Sequence, residues 1–389
     1  MSQRDYILLT GATGQIGRYL LRDLLEQQRP LAVLVRGASG LSAEQRVSQL
    51  IAEWERISGR SLPTPVCLEG DTTRPGFGLD ERDRHWVQDH CGTLLHNAAN
   101  VEFQSSGGET WQNNVQSAHR TLEVCRTYKL EHLVFVSTAY VAGRRTDLVH
   151  EDQLDCGQTF RNEYEHSKFE AERTIRAARD VDCVTVLRPA VVVGDYHTGY
   201  THSYHSFYQF ALFTWMFAKA ADKDERGRWK HNVRLTLTGH ELRNLVCLDW
   251  VSAAMTAIVN NRLCWGKTFH LTPKEPTQVH EVETALQKYF NYDGVKYVGN
   301  EPIDLSIGSE EEKRFYEYLS GYAEYWENDP RFDRSNTNAA TAHIPEPRID
   351  TECMQRLIDY AVRTRFGRQV KGARARNVTR ADAASIAFR

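Results

Sequence analysis

Thr10-Gly11-Ala12-Thr13-Gly14-Gln15-Ile16-Gly17 stands between an apolar run, Tyr6–Thr10, and an amphipathic stretch over residues 15–28. A strand, a glycine turn and a helix in that order build a cradle for the pyrophosphate of a dinucleotide. Gly11 permits the tight turn, Gly14 lets backbone approach the phosphates, and Gly17 allows helix and strand to pack closely. Thr13, Gln15 and Ile16 complete the turn and open the helix. The helix start offers unpaired N–H groups and the positive end of its dipole. Glycine spacing alone would suit a merely structural turn, and the strand–turn–helix context argues for the cradle.

The same alternation continues outward. Leu31–Val35, Val66–Glu69, Thr93–Leu95, His132–Val136 and Cys183–Leu187 read as short apolar strands. Helical stretches over 42–58, 109–128 and around 162–179 separate several of them. That rhythm predicts an α/β fold, a doubly wound parallel sheet with helices on both faces, binding its ligand at the carboxyl ends of the strands. The rhythm breaks near residue 195. Ser203–Ala220 is rich in aromatic residues, 233–238 and 245–248 read as strands, and Asp249–Asn260 reads as a helix. Ser309-Glu310-Glu311-Glu312 predicts a capping box, followed by Phe315, Tyr318, Leu319, Tyr322 and Trp326 at helical spacing. The expected division is a nucleotide domain over 1–194, to which about 232–262 return. A smaller, mostly helical C-terminal lobe for substrate takes 195–231 and 263–365, and a basic tail takes 366–389.

The second strand bears on the choice of cofactor. NAD binders usually end it in an acidic residue that holds the ribose hydroxyls. Here Leu34-Val35-Arg36 ends in a cation, which suits a 2′-phosphate. NADPH is therefore expected in preference to NADH. Arg46 is either a second phosphate contact or an ordinary exposed helix arginine.

Bulk properties exclude several classes. The chain has 389 residues and a formal charge of −3, enough length for one large domain with a lobe. Residues 363–389 hold Arg363, Arg365, Arg368, Lys371, Arg374, Arg376, Arg380 and Arg389 against Asp382 alone, so the remainder is too acidic for a nucleic-acid-binding body. The eight cysteines show no metal-type spacing and read as reduced thiols. A strand begins within five residues of Met1, so no secretory signal is expected. No apolar run is long enough for a transmembrane helix, and a cytoplasmic location is expected. His197, His202 and His205 lie in a Gly/Thr/Ser/Tyr-rich loop without a supporting carboxylate or cysteine set, so no metal is assigned.

Tyr164-Glu165-His166-Ser167-Lys168 supplies chemistry. At i and i+4 on a helix the tyrosine and lysine share a face. A nearby cation favours the phenolate, so the tyrosine is expected to exchange a proton nearer neutral pH than its intrinsic value of about 10. Two ordinary residues on a solvated helix would show the same spacing, and the order in which the pair appears is what matters.

In that order the chain resembles the extended short-chain dehydrogenase/reductase superfamily, a Rossmann-type fold. The motifs are Gly11-x-x-Gly14-x-x-Gly17, Leu95-His96-Asn97-Ala98-Ala99, Asn114-Val115, Val136-Ser137-Thr138-Ala139, Tyr164-x-x-x-Lys168 and Arg188-Pro189 before Val191-Val192-Val193-Gly194. Within it, Val35-Arg36-Gly37, Glu69-Gly70-Asp71, Gly194-Asp195 and Arg243-Asn244-Leu245-Val246 look similar to the thioester-reductase and fatty-acyl-reductase branch. The resemblance implies Tyr164 as general acid, Lys168 lowering its pKa and holding the nicotinamide ribose, and Thr138, rather than Ser137, bonding the substrate oxygen. It further implies Asp71 and Thr72 by the adenine and Asn97, Ala98 and Ala99 along the cofactor. Pro189, Ala190 and Val191 fall near the nicotinamide, and Asn114 is either an active-site support or a packing residue.

The implied activity is NADPH-dependent hydride transfer to the carbonyl of a hydrophobic substrate, an acyl thioester or a related aldehyde or ketone. No carrier serine motif is present, so a thioester would arrive in trans. The aromatic run at 203–220 fits an apolar ligand, lobe core or the face of a homodimer. A nucleotide-sugar epimerase or dehydratase with tightly bound NAD is the alternative on the same scaffold, and a non-catalytic dinucleotide sensor is a third reading.

Overall fold

A computed structural model describes residues 4–38, 40–99, 108–217, 222–299, 301–319 and 328–368. The chain runs β1 (Tyr6–Thr10), α1 (Gln15–Glu26), β2 (Leu31–Val35), α2 (Ala43–Ser58), β3 (Val66–Glu69), α3 (Glu81–His90) and β4 (Cys91–His96). It continues through α4 (Glu109–Thr127), β5 (His132–Val136), β6 (Leu148–Val149), α5 (Glu163–Ala177), β7 (Cys183–Pro189) and β8 (Val191–Val193). Next come α6 (Phe207–Phe217), β9 (Trp229–Leu235), β10 (Leu242–Arg243), β11 (Leu245–Cys247), α7 (Leu248–Asn260) and β12 (Thr268–Leu271). The last described elements are β13 (Thr277–Gln278), α8 (Val279–Phe290), β14 (Tyr292–Tyr297), α9 (Glu310–Leu319), β15 (Arg331–Phe332), α10 (Ser335–Thr341) and α11 (Thr351–Arg363).

Seven strands pair in parallel in the order β12-β7-β5-β4-β1-β2-β3. Side chains alternate across them, because successive Cβ atoms point to opposite faces. Ile7, Leu9, Val33, Val134 and Val136 pack on one face, and Leu8, Ala32, Leu34, Leu133 and Phe135 on the other. Both faces are therefore buried, which explains why these strands read as apolar runs. The strand order reverses between β1 and β4, where Thr10 pairs with His96. That switch point opens the crevice in which such sheets take ligands.

The polar helix α3 was not read in the sequence. Its segment, Glu81-Arg82-Asp83-Arg84-His85-Trp86-Val87-Gln88-Asp89-His90, buries Val87 and little else, so no apolar stripe announces it. Asp80 starts it by accepting a hydrogen bond from the Asp83 N–H. The predicted capping box at Ser309 forms only in part. Ser309 Oγ accepts from the Glu312 N–H at 3.0 Å, but the Glu312 carboxylate turns to Arg234 at 2.7 Å. Tyr322 and Trp326 lie outside the described residues.

The expected division at 263 is displaced. Thr268–Leu271 pairs with β7 and is the sheet's edge strand, while Trp229–Leu235 pairs with β14 away from the sheet. β12 is only four residues long, Thr268-Phe269-His270-Leu271, and alternates polar with apolar side chains, so it did not read as an apolar strand of the parallel sheet. The second unit gathers α6, α8 and α11 around Phe207, Tyr208, Leu286, Met354 and Leu357. Phe213, Val233, Leu235, Leu237 and Phe315 form a smaller cluster beside it. Most of the basic tail lies outside the described residues.

Candidate active site

The glycine turn closes on itself. Gly11 sits at φ +72°, and a Cβ there would lie 2.8 Å from the Ala98 N. A Cβ on Gly17 would lie 1.9 Å from the Gly11 carbonyl oxygen, so α1 packs against the turn itself. Gly14 is the N-cap of α1 and offers no side chain to its N–H groups. A helix start bare of side-chain caps beside a backbone cradle fits a dinucleotide pyrophosphate. Asn97 Nδ2 donates to the Gly11 carbonyl at 3.3 Å, and Gln15 Nε2 donates to the Val192 carbonyl at 3.3 Å.

These groups border a cleft of about 1000 Å³. Of the predicted residues, Gly11, Thr13, Gly14, Gln15, Ile16, Arg36, Arg46, Thr72, Asn97, Ala98, Ala99 and Asn114 line it. So do Thr138, Tyr164, Lys168, Pro189, Ala190 and Val191. Gly17 and Asp71 are not among the residues that line it. Asp71 accepts from the Thr73 N–H and hydroxyl at 2.9 and 2.8 Å and lies 3.7 Å from Arg36. The Arg36 side chain is 70% exposed at the cleft's mouth, which leaves its charge open to a ligand. Arg46 donates to the Arg36 backbone carbonyl, so it braces the cation.

Thr138 ends the stretch after β5, and Tyr164 opens α5. Asn162 starts that helix by accepting from the Glu165 N–H at 3.0 Å. Burial pushes the Tyr164 phenol up to about 12, against the lowering pull of a hydrogen bond with Thr138. The expected displacement toward neutrality is therefore reversed, because desolvation of the phenolate outweighs stabilisation. Lys168 Nζ donates to the Val136 carbonyl at 2.9 Å and lies 4.8 Å from the Phe135 ring. Burial draws the Lys168 ammonium down to about 8, opposed by Glu172. Thr138 and Ser137 face different partners. Thr138 is coupled to Tyr164, while the Ser137 hydroxyl sits against the buried Glu172 carboxylate without meeting strict hydrogen-bond geometry. Asn114 Nδ2 donates to Ser167 Oγ at 2.9 Å, and that hydroxyl donates to the Tyr164 carbonyl at 2.8 Å, which ties α4 to the first turn of α5.

Several supporting residues stood in the quoted motifs or beside them without a role assigned from the sequence. The His96 ring meets Thr10 Oγ1 and Ser117 Oγ, each at 3.1 Å, and the Ala98 N–H donates to Thr10 Oγ1 at 3.2 Å. Burial pulls the His96 pKa down to about 3, so a neutral ring fixes the loop that carries Asn97 to Ala99. Behind Lys168, Arg188 and Glu172 form an ion pair at 2.7 Å with both side chains fully buried. Burial drives the Glu172 pKa up, but Arg188 and Arg176 outweigh it and hold the carboxylate below its ordinary value. A lone charge closing the apolar run Cys183-Val184-Thr185-Val186-Leu187-Arg188 was the available signal.

The aromatic run after 203 divides its labour. The Tyr208 hydroxyl accepts from the Gly194 N–H at 3.0 Å, and Tyr204 and Trp215 pack on Phe366. Phe207, Phe210 and Phe213 line a second, apolar cavity of about 160 Å³. His202 and His205 line the cofactor cleft. Among the described residues no group of three or more His, Cys, Asp or Glu is placed to hold a metal, and no helix is long and apolar enough to cross a membrane.

A parallel switch-point sheet with a glycine cradle and a Thr–Tyr–Lys constellation defines an extended short-chain dehydrogenase/reductase, a class of NAD(P)-dependent oxidoreductases. The family model described as male sterility protein matches residues 9–254, and the chain belongs to that family. A nonribosomal peptide synthetase of Aspergillus flavus is 24% identical over 74% of this chain and 28% of its own length. A putative fatty acyl-CoA reductase of Drosophila melanogaster is 31% identical over 35% of this chain and 28% of its own length. The matched region thus spans little more than a quarter of either relative. Among solved structures, the terminal R domain from the myxalamid PKS-NRPS biosynthetic pathway superposes with a TM-score of 0.72 at 22% identity, covering 94% of this chain and 92% of that one. The UDP-glucuronic acid 4-epimerase from Bacillus cereus, in complex with UDP-glucuronic acid and NAD, gives 0.62 at 17% identity, covering 92% of this chain and 99% of that one. At these identities the structures speak for the fold.

Proposed function

We propose that this protein is an NADPH-dependent reductase of an apolar acyl thioester, presented in trans, with Tyr164 as the general acid. The observation that carries the reading is the Thr138–Tyr164 pair, Thr138 buried and Tyr164 half-buried, at the strand ends of a cleft whose mouth displays Arg36. The bare start of α1 and the Gly11–Gly14 turn would hold the pyrophosphate, Arg36 the 2′-phosphate, and Lys168 the nicotinamide ribose. Bound there, the cofactor supplies hydride to the carbonyl carbon.

A phenol near pKa 12 keeps its proton at neutral pH, which loads Tyr164 as an acid rather than a base. As charge grows on the carbonyl oxygen, the Thr138 hydroxyl stabilises it and Tyr164 delivers its proton. Lys168, charged at neutral pH and anchored to Val136, stabilises the phenolate left behind. The product is a hemithioacetal. Breaking its carbon–sulfur bond, with the hydroxyl proton passing to sulfur, gives an aldehyde and a free thiol.

Family membership and relatives named as a peptide synthetase and fatty acyl-CoA reductase support the thioester. An apolar cavity beside the cleft suits an acyl chain better than a nucleotide sugar. The test is NADPH oxidation against acyl-CoAs, aldehydes, ketones and quinones. Thioesters should be turned over, and Tyr164→Phe should lose about 100-fold or more while NADPH affinity stays within a few-fold. Full activity in that variant would remove Tyr164 from the mechanism, and turnover confined to another carbonyl class would replace the substrate.

A further inference from the structure

Thr138 and Tyr164 stand on segments that are stitched together outside the cleft. Thr138 opens a short helical turn, Ala139–Ala142, which Gly143 closes at φ +59°. The Tyr140 N–H donates to Thr138 Oγ1 at 3.3 Å, so the side chain caps its own turn. The Tyr140 hydroxyl donates to Asp329 at 2.9 Å and anchors the turn at its middle. The residues leading into α5 run beside the far end of this turn. Gln158 Nε2 donates to the Val141 carbonyl at 2.8 Å, and the Arg144 N–H donates to the Thr159 carbonyl at 2.9 Å.

Arg161 completes the stitching. Its Nη1 donates to the Gly143 carbonyl at 2.8 Å and to Glu165 Oε1 at 3.4 Å. Its backbone N–H donates to Glu165 Oε2 at 3.0 Å. Glu165 directly follows Tyr164 in the first turn of α5, so one guanidinium bridges the end of the Thr138 turn and the start of the Tyr164 helix. The two side chains are 1% and 0% exposed, and neither residue lines the cofactor cleft or the second cavity. Burial pushes the Glu165 carboxyl up to about 7, with Arg161 the chief opposing influence. A buried ion pair contributes little net stability compared with apolar side chains of the same volume. What this pair does supply is a fixed geometry between two segments, each carrying half of the acid pair.

We propose that Arg161, acting through Glu165 and the Gly143 carbonyl, is a positioning residue of the reduction. It sets the approach of the Thr138 hydroxyl to the Tyr164 phenol, at which one group stabilises the carbonyl oxygen and the other delivers its proton. The inference rests on the reading of Tyr164 as general acid, but not on which carbonyl is reduced. The test is a double-mutant cycle on kcat per titrated NADPH site, run with whichever carbonyl class the protein turns over. Arg161→Met should lower kcat about tenfold or more, since a misplacement of about 1 Å costs up to about 100-fold. The NADPH dissociation constant should stay within about threefold. In a Thr138→Ala background the same change should cost less than about threefold, because groups that act as a unit lose their contributions together.

Counting only NADPH-binding sites removes misfolded protein from the comparison, and melting curves follow each variant. If Arg161→Met does not fold, Arg161→Lys, which keeps a cation beside Glu165 without the guanidinium fork, carries the same cycle. Equal losses in the two backgrounds would overturn the proposal and leave the pair merely structural. An unchanged kcat, or a loss confined to NADPH affinity, would overturn it as well. Each of those results leaves the proposed function standing. Full activity of Tyr164→Phe would instead remove the acid, and this role for Arg161 with it.

Discussion

Arg36 directly follows β2, with most of its side chain in solvent and Asp71 at 3.7 Å. A weak, screened pair of that kind contributes little to stability, so the guanidinium can exchange it for a phosphate at small cost. Arg36→Ala should therefore weaken NADPH binding by about tenfold or more and leave NADH nearly unchanged, as read by fluorescence titration of both cofactors. Equal losses would assign the residue a structural role. The charge at this position was legible from the sequence, because one residue at one strand end carries it. The titration of Tyr164 was not. Its neighbours in the chain promised a lowered pKa, whereas desolvation in the wall of the cleft raises it to about 12.

Helix α1 leans on the turn that precedes it, and Gly17 is the point of contact. A methyl there would reach 1.9 Å from the Gly11 carbonyl oxygen, a clash that backbone must relieve by moving the helix. Gly17→Ala should cost about 1–3 kcal/mol of stability. It should also weaken cofactor binding, because the start of α1 and the cradle shift together. Thermal melts and cofactor titration on the same variant check both, and an unchanged melting temperature would show that the helix tolerates the side chain. Helix α1 was legible from its apolar stripe after a glycine turn, and α2 from its stripe and its caps. In α2, Ser42 and Gln45 form a reciprocal capping box and Gly59 closes the helix at φ +66°. Helix α3 carried no such stripe, and Glu312 was drawn from its expected cap by Arg234, a partner 78 residues away.

Across the whole molecule, the Arg188–Glu172 pair joins α5 to β7, the strand beside the sheet's β12 edge. Arg188 Nη1 also lies 3.0 Å from His270 Nε2 on β12, and Arg188 Nη2 donates to the Gln153 carbonyl at 2.8 Å. Arg188→Met would leave a buried carboxylate with Arg176 as its ion-pair partner at 2.8 Å and the Lys168 ammonium nearby. Removing one partner of a buried pair costs about 3–5 kcal/mol, and the retained arginine places this variant at the lower end. Urea unfolding measures it, and Arg188→Met combined with Glu172→Gln should recover part of the loss. No recovery would mean that packing, not charge, holds the site together. The chain's own order already contained the phosphate cradle, the two-faced strands, the cation after β2 and the Tyr164–Lys168 face. Those features depend on residues within a few turns of one another, where spacing and side-chain type are sufficient. Three-dimensional packing alone set the coupling of Thr138 to Tyr164, the neutral His96 brace, the return of Thr268–Leu271 to the sheet edge and the cavity beside the cleft. Each of these depends on burial or on partners far apart in the chain, and desolvation and long-range pairing leave no local pattern to read.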